Sequence, residues 1–380
     1  MSALSPKVEQ FLRDQQPATP FVVIDLDHVE DRYHQLAKAI PSAVTYYAVK
    51  ANPARPILER LASLGSSFDV ASPGEIDMCL AVGIDPDRIS YGNTIKKRRD
   101  VAYAFNKGVT KYTVDSMEEL EKVADAAPGS SVCVRLLHDC GGADWPLSRK
   151  FGCAAPDVVR LLVAATERGM RCGVSFHVGS QQRDLGAWDN TLERVRWVFD
   201  QARALGGTPS FLNLGGGYPG TYLEASPTID QYGEAVNAAL HQWFPEGLDE
   251  VMVEPGRYMV ADAGMMRTEV VLVSRRSPED FERWVYLDCG KFHGLAETVD
   301  EAIRYRICTP YDGMDLPTGA VALAGPTCDS ADVLYEKNAY ELPLALREGD
   351  YLDILSTGAY TTTYSSVGFN GFPPLRDYYV

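Results

Sequence analysis

From residue 43 to residue 254, short apolar runs alternate with longer amphipathic stretches. The runs AVTYYAV, SSFDV, RISYG, KYTV, SVCVRLL, GVSFHV, FLNL and EVMVE are rich in β-branched and aromatic residues, which predicts eight buried strands. Between them lie PARPILERLASLG, PGEIDMCLAVG, DVVRLLVAATERG and TIDQYGEAVNAALHQWF, which repeat apolar residues at helical spacing. Several of these carry proline near the start and glycine just past the end, as helix boundaries prefer. Eight such units in series predict an α/β chain with a (β/α)8 TIM-like barrel. A doubly wound open sheet shows the same alternation, and strand count alone does not separate the two.

Past residue 260 the texture changes. MMRTEVVLVSRR, WVYLDCG, AVALAGP and GDYLDILSTGAYT read as strands without helices of comparable length between them. This predicts a C-terminal β domain of sandwich or barrel-like type. The early run FVVIDLD has no place among the eight and is assigned to the same domain, with a helix over 28–39 leading into the barrel. The expected organisation is a barrel over 27–260 and a β domain built from 1–26 and 261–380.

Composition narrows the partners. The chain has 380 residues and a net charge of −16, and phosphate backbones need basic surface, so nucleic acid is not expected. No apolar run approaches the roughly 18 residues of a membrane span, and the first residues lack the apolar core of a secretory signal. The eight cysteines are scattered without CxxC pairs, which predicts reduced thiols in a cytoplasmic protein and no metal site.

The polar residues of interest fall at the C-terminal ends of the predicted strands. Lys50 ends strand one, Asp69 ends strand two, strand five carries Arg135 and strand six His177. Strand seven runs into Gly215, Gly216 and Gly217, and strand eight ends at Glu254. In a closed barrel these ends converge on one face, whereas an open sheet would spread them along an edge. That convergence favours the barrel.

A lysine among apolar neighbours loses solvation, and its free amine can form an imine with a carbonyl. Lys50 in YYAVKANP fits this, although a surface lysine past a strand has the same local sequence. The loop FLNLGGGYPG lets backbone amides approach a phosphate without a Cβ in the way, or makes a plain turn. VEPGR offers Glu254 to a ring nitrogen and Arg257 to a phosphate, or an ordinary turn with an ion pair. In SFHVGS, His177 would stack on an aromatic cofactor or serve as a satisfied core group.

Together these segments resemble the pyridoxal-phosphate (PLP) decarboxylases of ornithine, lysine, diaminopimelate and arginine, which share an alanine-racemase-like barrel. YAVKAN matches the family's cofactor-attachment motif and NLGGGYPG its second signature. FDVASPGE, SFHVGSQ, EPGR, GPTCDSAD and GAYT follow in the family's order, so the resemblance covers nearly the whole chain. It implies that Lys50 is the Schiff-base lysine and that His177 stacks on the cofactor ring. Ser180, Gly215, Gly216, Gly217, Gly256, Arg257 and Tyr360 would bind the phosphate, and Glu254 the ring nitrogen. Asp69, Glu75 and Arg135 would support ring and lysine. Cys328, with Asp329 beside it, would protonate Cα after loss of CO2. In the family these two residues come from a partner subunit, which implies a homodimer with shared sites.

The resemblance implies decarboxylation of L-ornithine to putrescine, a step of polyamine biosynthesis. Asp329 would meet the distal ammonium of the substrate. The second carboxylate is less clear, because LDCGKFHGLAETVDEAIRYRI departs from the eukaryotic pattern and looks more like bacterial ornithine decarboxylases. Ungapped counting puts Asp300 and Glu301 there, with Glu301 reaching one methylene further than aspartate would. Phe369 matches an aromatic near the substrate. A lysine or dual-specificity decarboxylase differs by one methylene of substrate, worth only about 1–3 kcal/mol. A racemase would want arginine at the ring nitrogen, and a single-barrel carrier would lack the β domain. A catalytically silent homologue like the antizyme inhibitors would not need Lys50, Glu254 and Cys328. HDCGGADWPLSRKFG reads as a loop near the site.

Overall fold

The structure, a computed structural model, describes residues 4–138, 141–145, 150–277 and 283–380. Cys140 and part of HDCGGADWPLSRKFG lie outside the described residues. The chain divides into two compact units, one of Glu30–Pro219 and Ser226–Met259, the other of Met1–Val29, Gly220–Ala225 and Val260–Val380.

In the first unit the predicted strands form a closed eight-stranded barrel. They are Ala43–Ala48, Ser67–Val70, Ile89–Tyr91, Lys111–Val114, Ser131–Arg135, Cys172–Ser175, Pro209–Asn213 and Glu250–Val253. Closure is made where the last strand pairs with the first, Val251 opposite Ala43 and Val253 opposite Thr45, all neighbours running parallel. An open doubly wound sheet would leave those two as free edges, so that alternative is excluded.

The helices follow from local sequence. Ser72 caps Pro73–Ala81 by accepting the Glu75 N–H, with proline in the first turn. Thr228 and Gln231 form a reciprocal capping box at the start of Ile229–Trp243. The barrel interior carries Tyr46, Cys133, Phe211 and Met252 as one buried cluster. Beneath it Glu250 gathers Tyr46, Lys111 and Arg171, accepting from Lys111 Nζ at 3.2 Å and Arg171 Nη1 at 2.9 Å. Lys111, Arg171 and Glu250 lie at strand starts, the face of a barrel devoted to stability.

The second unit is an eight-stranded mixed sheet. Gly264–Ser274 is its spine, pairing with Tyr351–Leu355 and Arg283–Leu287, and the sheet continues through Thr318–Ala324 to Val333–Pro343. Phe21–Ile24, the run unplaced in the barrel, pairs antiparallel with Gly264–Ser274 and parallel with Arg376–Tyr379. Gly220–Ala225 belongs here because Thr221 donates its N–H and hydroxyl to Asp262 at 2.9 and 2.7 Å. Strand Val333–Pro343 escapes a periodicity reading because Glu336, Lys337 and Asn338 interrupt its apolar pattern with a bulge. No helix among the described residues is long and apolar enough to cross a membrane.

Candidate active site

The strand ends carry the predicted residues, with local adjustments. Strand one stops at Ala48, and Lys50 sits in a single 3-10 turn, Val49–Ala51. That turn brings its amine to the neighbouring strand, where Nζ lies 3.0 Å from Asp69 Oδ2. Asp69 is buried, and its Oδ1 finds no donor among the described residues. Glu75 caps its own helix in return, its carboxylate accepting from Ala71 N–H at 2.6 Å. Burial pushes the Glu75 pKa up, opposed by that hydrogen bond and the Lys50 charge.

His177 lies two residues beyond the strand Cys172–Ser175, not within it. Its Nδ1 accepts the Gly179 N–H at 3.0 Å, which leaves the ring proton on Nε2. Burial, then the positive charges of Arg135, Lys50 and His138, hold its pKa well below the ordinary histidine value. The ring is therefore neutral, as suits a group that packs on an aromatic face. Arg135 closes strand five with its guanidinium 5.1 Å from the centre of the Phe151 ring.

The glycine loop is wedged between two stretches of backbone. A Cβ on Gly215 would lie 2.1 Å from Phe176 O, one on Gly216 2.5 Å from Glu254 O, and one on Gly217 2.7 Å from Gly179 O. Gly215 and Gly217 also take positive φ angles, 66° and 110°. No other residue fits this path. Among the described residues the amides of Gly216, Gly217 and Gly256 donate no hydrogen bond. Arg257 Nε donates to Ser180 Oγ at 3.2 Å, so a cation and a hydroxyl stand together in the same unit. Unpaired amides, a hydroxyl and a guanidinium form a donor set suited to a phosphate.

Glu254 is held by Asn213, whose side-chain N–H donates to Oε1. Burial raises the Glu254 pKa to about 7, with the Asp69 charge adding to it and Lys50, Asn213 and Arg135 opposing. A carboxylate poised there can share a proton with a pyridine nitrogen. The orphaned Asp69 oxygen, the unpaired amides and this acid fit a phosphorylated pyridine aldehyde.

In the second unit Cys328 is exposed, its N–H donating to Asn370 Oδ1 at 2.9 Å. Asp329 is also exposed and accepts the Ala331 N–H. The Phe369 ring packs against Phe292 at a 40° tilt, with centroids 4.6 Å apart. Tyr360 takes a positive φ of 55° and lies 5.9 Å from the Tyr364 ring. Asp300 and Glu301 end the 3-10 segment Ala296–Glu301, and they do different things. Asp300 has a side chain 84% exposed. Glu301 is engaged by backbone amides.

Two further residues, one in each unit, hold candidate residues in place. Asn213 orients Glu254, and its signal was a polar residue ending an apolar strand directly before the glycines. Asp332 is buried and gathers the Cys328 loop, accepting from Lys291 N–H at 2.8 Å and from Thr327 N–H and hydroxyl at 3.2 and 2.7 Å.

Comparison with known proteins agrees with this geometry. Residues 26–261 match the pyridoxal-binding domain of the pyridoxal-dependent decarboxylases. Lysine/ornithine decarboxylase of Selenomonas ruminantium is 34% identical over 97% of this chain and 91% of its own. Antizyme inhibitor 2 of Xenopus laevis is 35% identical over 93% and 79%. The structure of lysine/ornithine decarboxylase from Vibrio vulnificus with putrescine superposes with a TM-score of 0.86 at 30% identity, covering 99% of both chains. The chain therefore belongs to the pyridoxal-dependent decarboxylases, a family whose cofactor is pyridoxal phosphate.

Proposed function

We propose that the protein decarboxylates L-ornithine to putrescine, with lysine as a second substrate. The observation that carries a decarboxylase is Glu254, buried, held by Asn213 and raised to about 7, in the unit where Lys50 meets Asp69. When bound, pyridoxal phosphate supplies the electron sink for the charge left behind by CO2. Lys50 holds the cofactor covalently through its amine, and Asp69 keeps that amine oriented. The Gly216, Gly217 and Gly256 amides hold the phosphate with Ser180, Arg257 and Tyr360. His177, neutral and flat, packs on the ring face, and Glu254 keeps a proton at the ring nitrogen. Glu75 and Arg135 support this arrangement.

Cys328 then delivers a proton from Sγ to the substrate Cα. Its exposure, beside exposed Asp329 and the partly exposed Phe369, supports a face completed by a second copy of the chain, giving a homodimer with two shared sites. Asp329 of one copy and Asp300 of the other meet the distal ammonium. Dual specificity is supported by the named activity of the relatives from Selenomonas ruminantium and Vibrio vulnificus. It is also supported by the small energy of one methylene, about 1–3 kcal/mol.

The test is CO2 release from ornithine, lysine, arginine and diaminopimelate in parallel, with ornithine expected to lead. Absence of release from every substrate would favour a silent role like that of the antizyme inhibitors. A visible absorbance band of the lysine-bound cofactor, lost in Lys50→Ala, separates these cases.

A further inference from the structure

We propose that Glu301 is a positioning residue, whose carboxylate clamps a strand bulge and thereby presents Asp300 to the substrate's distal ammonium. This rests on the reading above that Asp300 meets that ammonium.

The backbone at this turn is costly. Asp300 and Glu301 have φ angles of 53° and 58°, successive left-handed positions filled by neither glycine nor asparagine. L side chains seldom adopt this conformation unaided, so the surroundings must enforce it at both positions. The enforcement comes from Val333–Pro343. Its pairing with Thr318–Ala324 breaks between Tyr340, opposite Val321, and Tyr335, opposite Leu323. In the intervening bulge three successive amides turn toward Glu301. Oε1 accepts from Glu336 N–H at 2.9 Å and Lys337 N–H at 2.7 Å, and Oε2 from Asn338 N–H at 3.1 Å and Asn338 Nδ2 at 2.9 Å. Tyr335 ties down the far side of the turn, donating to Ile303 O at 2.8 Å and accepting from Tyr305 N–H at 3.0 Å.

Four donors fill the lone-pair sites a carboxylate has to offer. Burial pushes the Glu301 pKa up, but the hydrogen bonds outweigh it and leave the group below the ordinary carboxylate range. Glu301 is thus ionised and fully used, with nothing left for a substrate. Asp300 is the opposite case. Among the described residues its carboxylate meets the Lys337 ammonium, at 3.3 Å, and that lysine comes from the same bulge. The Asp300 carboxylate is thus exposed and within reach of an ammonium.

The test uses the PLP-loaded enzyme and its Asp300→Asn, Glu301→Ala, Glu301→Gln and Asn338→Ala variants. Michaelis constants and kcat are measured for ornithine and lysine, with putrescine affinity by calorimetry. Asp300→Asn and Glu301→Ala are both expected to raise KM and weaken putrescine by about tenfold or more, the loss of one charge-assisted contact. In both, kcat and the cofactor absorbance should stay near wild type. Glu301→Gln keeps the shape but turns an NH2 toward donors, and it should fall between. If Asp300→Asn weakens putrescine while Glu301→Ala and Glu301→Gln do not, the clamp has no positioning role. If Asp300→Asn itself changes nothing, the assignment of Asp300 fails instead. Should Glu301→Ala not fold, Glu301→Gln and Asn338→Ala carry the same comparison.

Discussion

Asn213 donates its side-chain N–H to Glu254 Oε1 while its own carbonyl oxygen accepts the Gly215 N–H at 2.9 Å. Because the Gly215 amide only donates, the Asn213 side chain cannot flip, and Oε1 must act as an acceptor. Any proton on Glu254 is therefore on Oε2. One buried amide couples Glu254 to the glycine loop. Removing it in Asn213→Ala forfeits a buried hydrogen bond to a charged group, worth about 1.5–3 kcal/mol. The expected result is at least tenfold weaker pyridoxal phosphate binding, read by absorbance titration of the cofactor-free protein. Unchanged affinity would show that the loop and Glu254 hold their places independently.

The pH dependence of stability follows from Glu254 and His177. In the cofactor-free protein the folded Glu254 pKa, about 7, lies above the ordinary glutamate value. The folded state then binds more protons across that window, so Glu254 stabilises at low pH and that contribution is lost as pH rises through it. His177 acts in the other direction. Its folded pKa is depressed, so the unfolded chain binds more protons below 6.5 and stability falls as pH drops there. Urea melts of the cofactor-free protein across this range should flatten on the alkaline side in Glu254→Gln and on the acid side in His177→Gln. Slopes unmoved by either variant would mean that other groups dominate.

Much of this was legible from the chain because the signals are local. A lysine ending an apolar strand, three glycines after another and a Glu-Pro-Gly-Arg turn each describe a few consecutive residues. Barrel closure was reached only by the convergence of those residues, and the pairing of Val251 with Ala43 settles it. Glu301 shows where local reading stops. Spacing put it at the substrate, but its carboxylate is taken by amides 35 to 37 residues downstream. No periodicity announces a bulge, since it is defined by what the neighbouring strand fails to pair with. His177 shows a smaller displacement: apolar residues continue beyond the last ladder bond, so the run looks longer than the strand.

Cys328 invites a kinetic test. Replacing a general acid should lower kcat by about 10²–10⁴-fold with the cofactor absorbance intact. Cys328 is exposed, so Cys328→Ala should leave thermal stability within about 0.5 kcal/mol of wild type. Equal loss of stability and activity would mark the residue as structural.

The proposed sharing of the site between copies makes a quantitative prediction. Subunits carrying Lys50→Ala and subunits carrying Cys328→Ala should each be inactive alone. Mixed in equal amounts, half of the dimers pair unlike subunits, each with one complete site, and about a quarter of wild-type activity should return. No recovery after exchange would place both residues in a single chain's site or none.

Lys96 offers a stability test apart from catalysis. Its side chain is 0% exposed, and Nζ donates to Asn93 O and Thr113 O at 2.7 Å and pairs with Glu119 at 3.1 Å. Lys96→Met leaves Glu119 with Lys122 as its remaining partner and should cost about 3–5 kcal/mol by chemical denaturation. Lys96→Met combined with Glu119→Met should recover part of that, and an equally unstable double variant would contradict the ion-pair account.

Phe21–Ile24 lies between Gly264–Ser274 and Arg376–Tyr379, so an early strand has one neighbour far along the chain and another further still. During synthesis one edge of this apolar strand stays unpaired until Arg376–Tyr379 has left the ribosome. The barrel strands carry no such debt, because each pairs with one that follows soon after, except at the closing seam. Loss of Arg376–Tyr379 would therefore expose a backbone edge of Phe21–Ile24, open to addition by a strand from another chain.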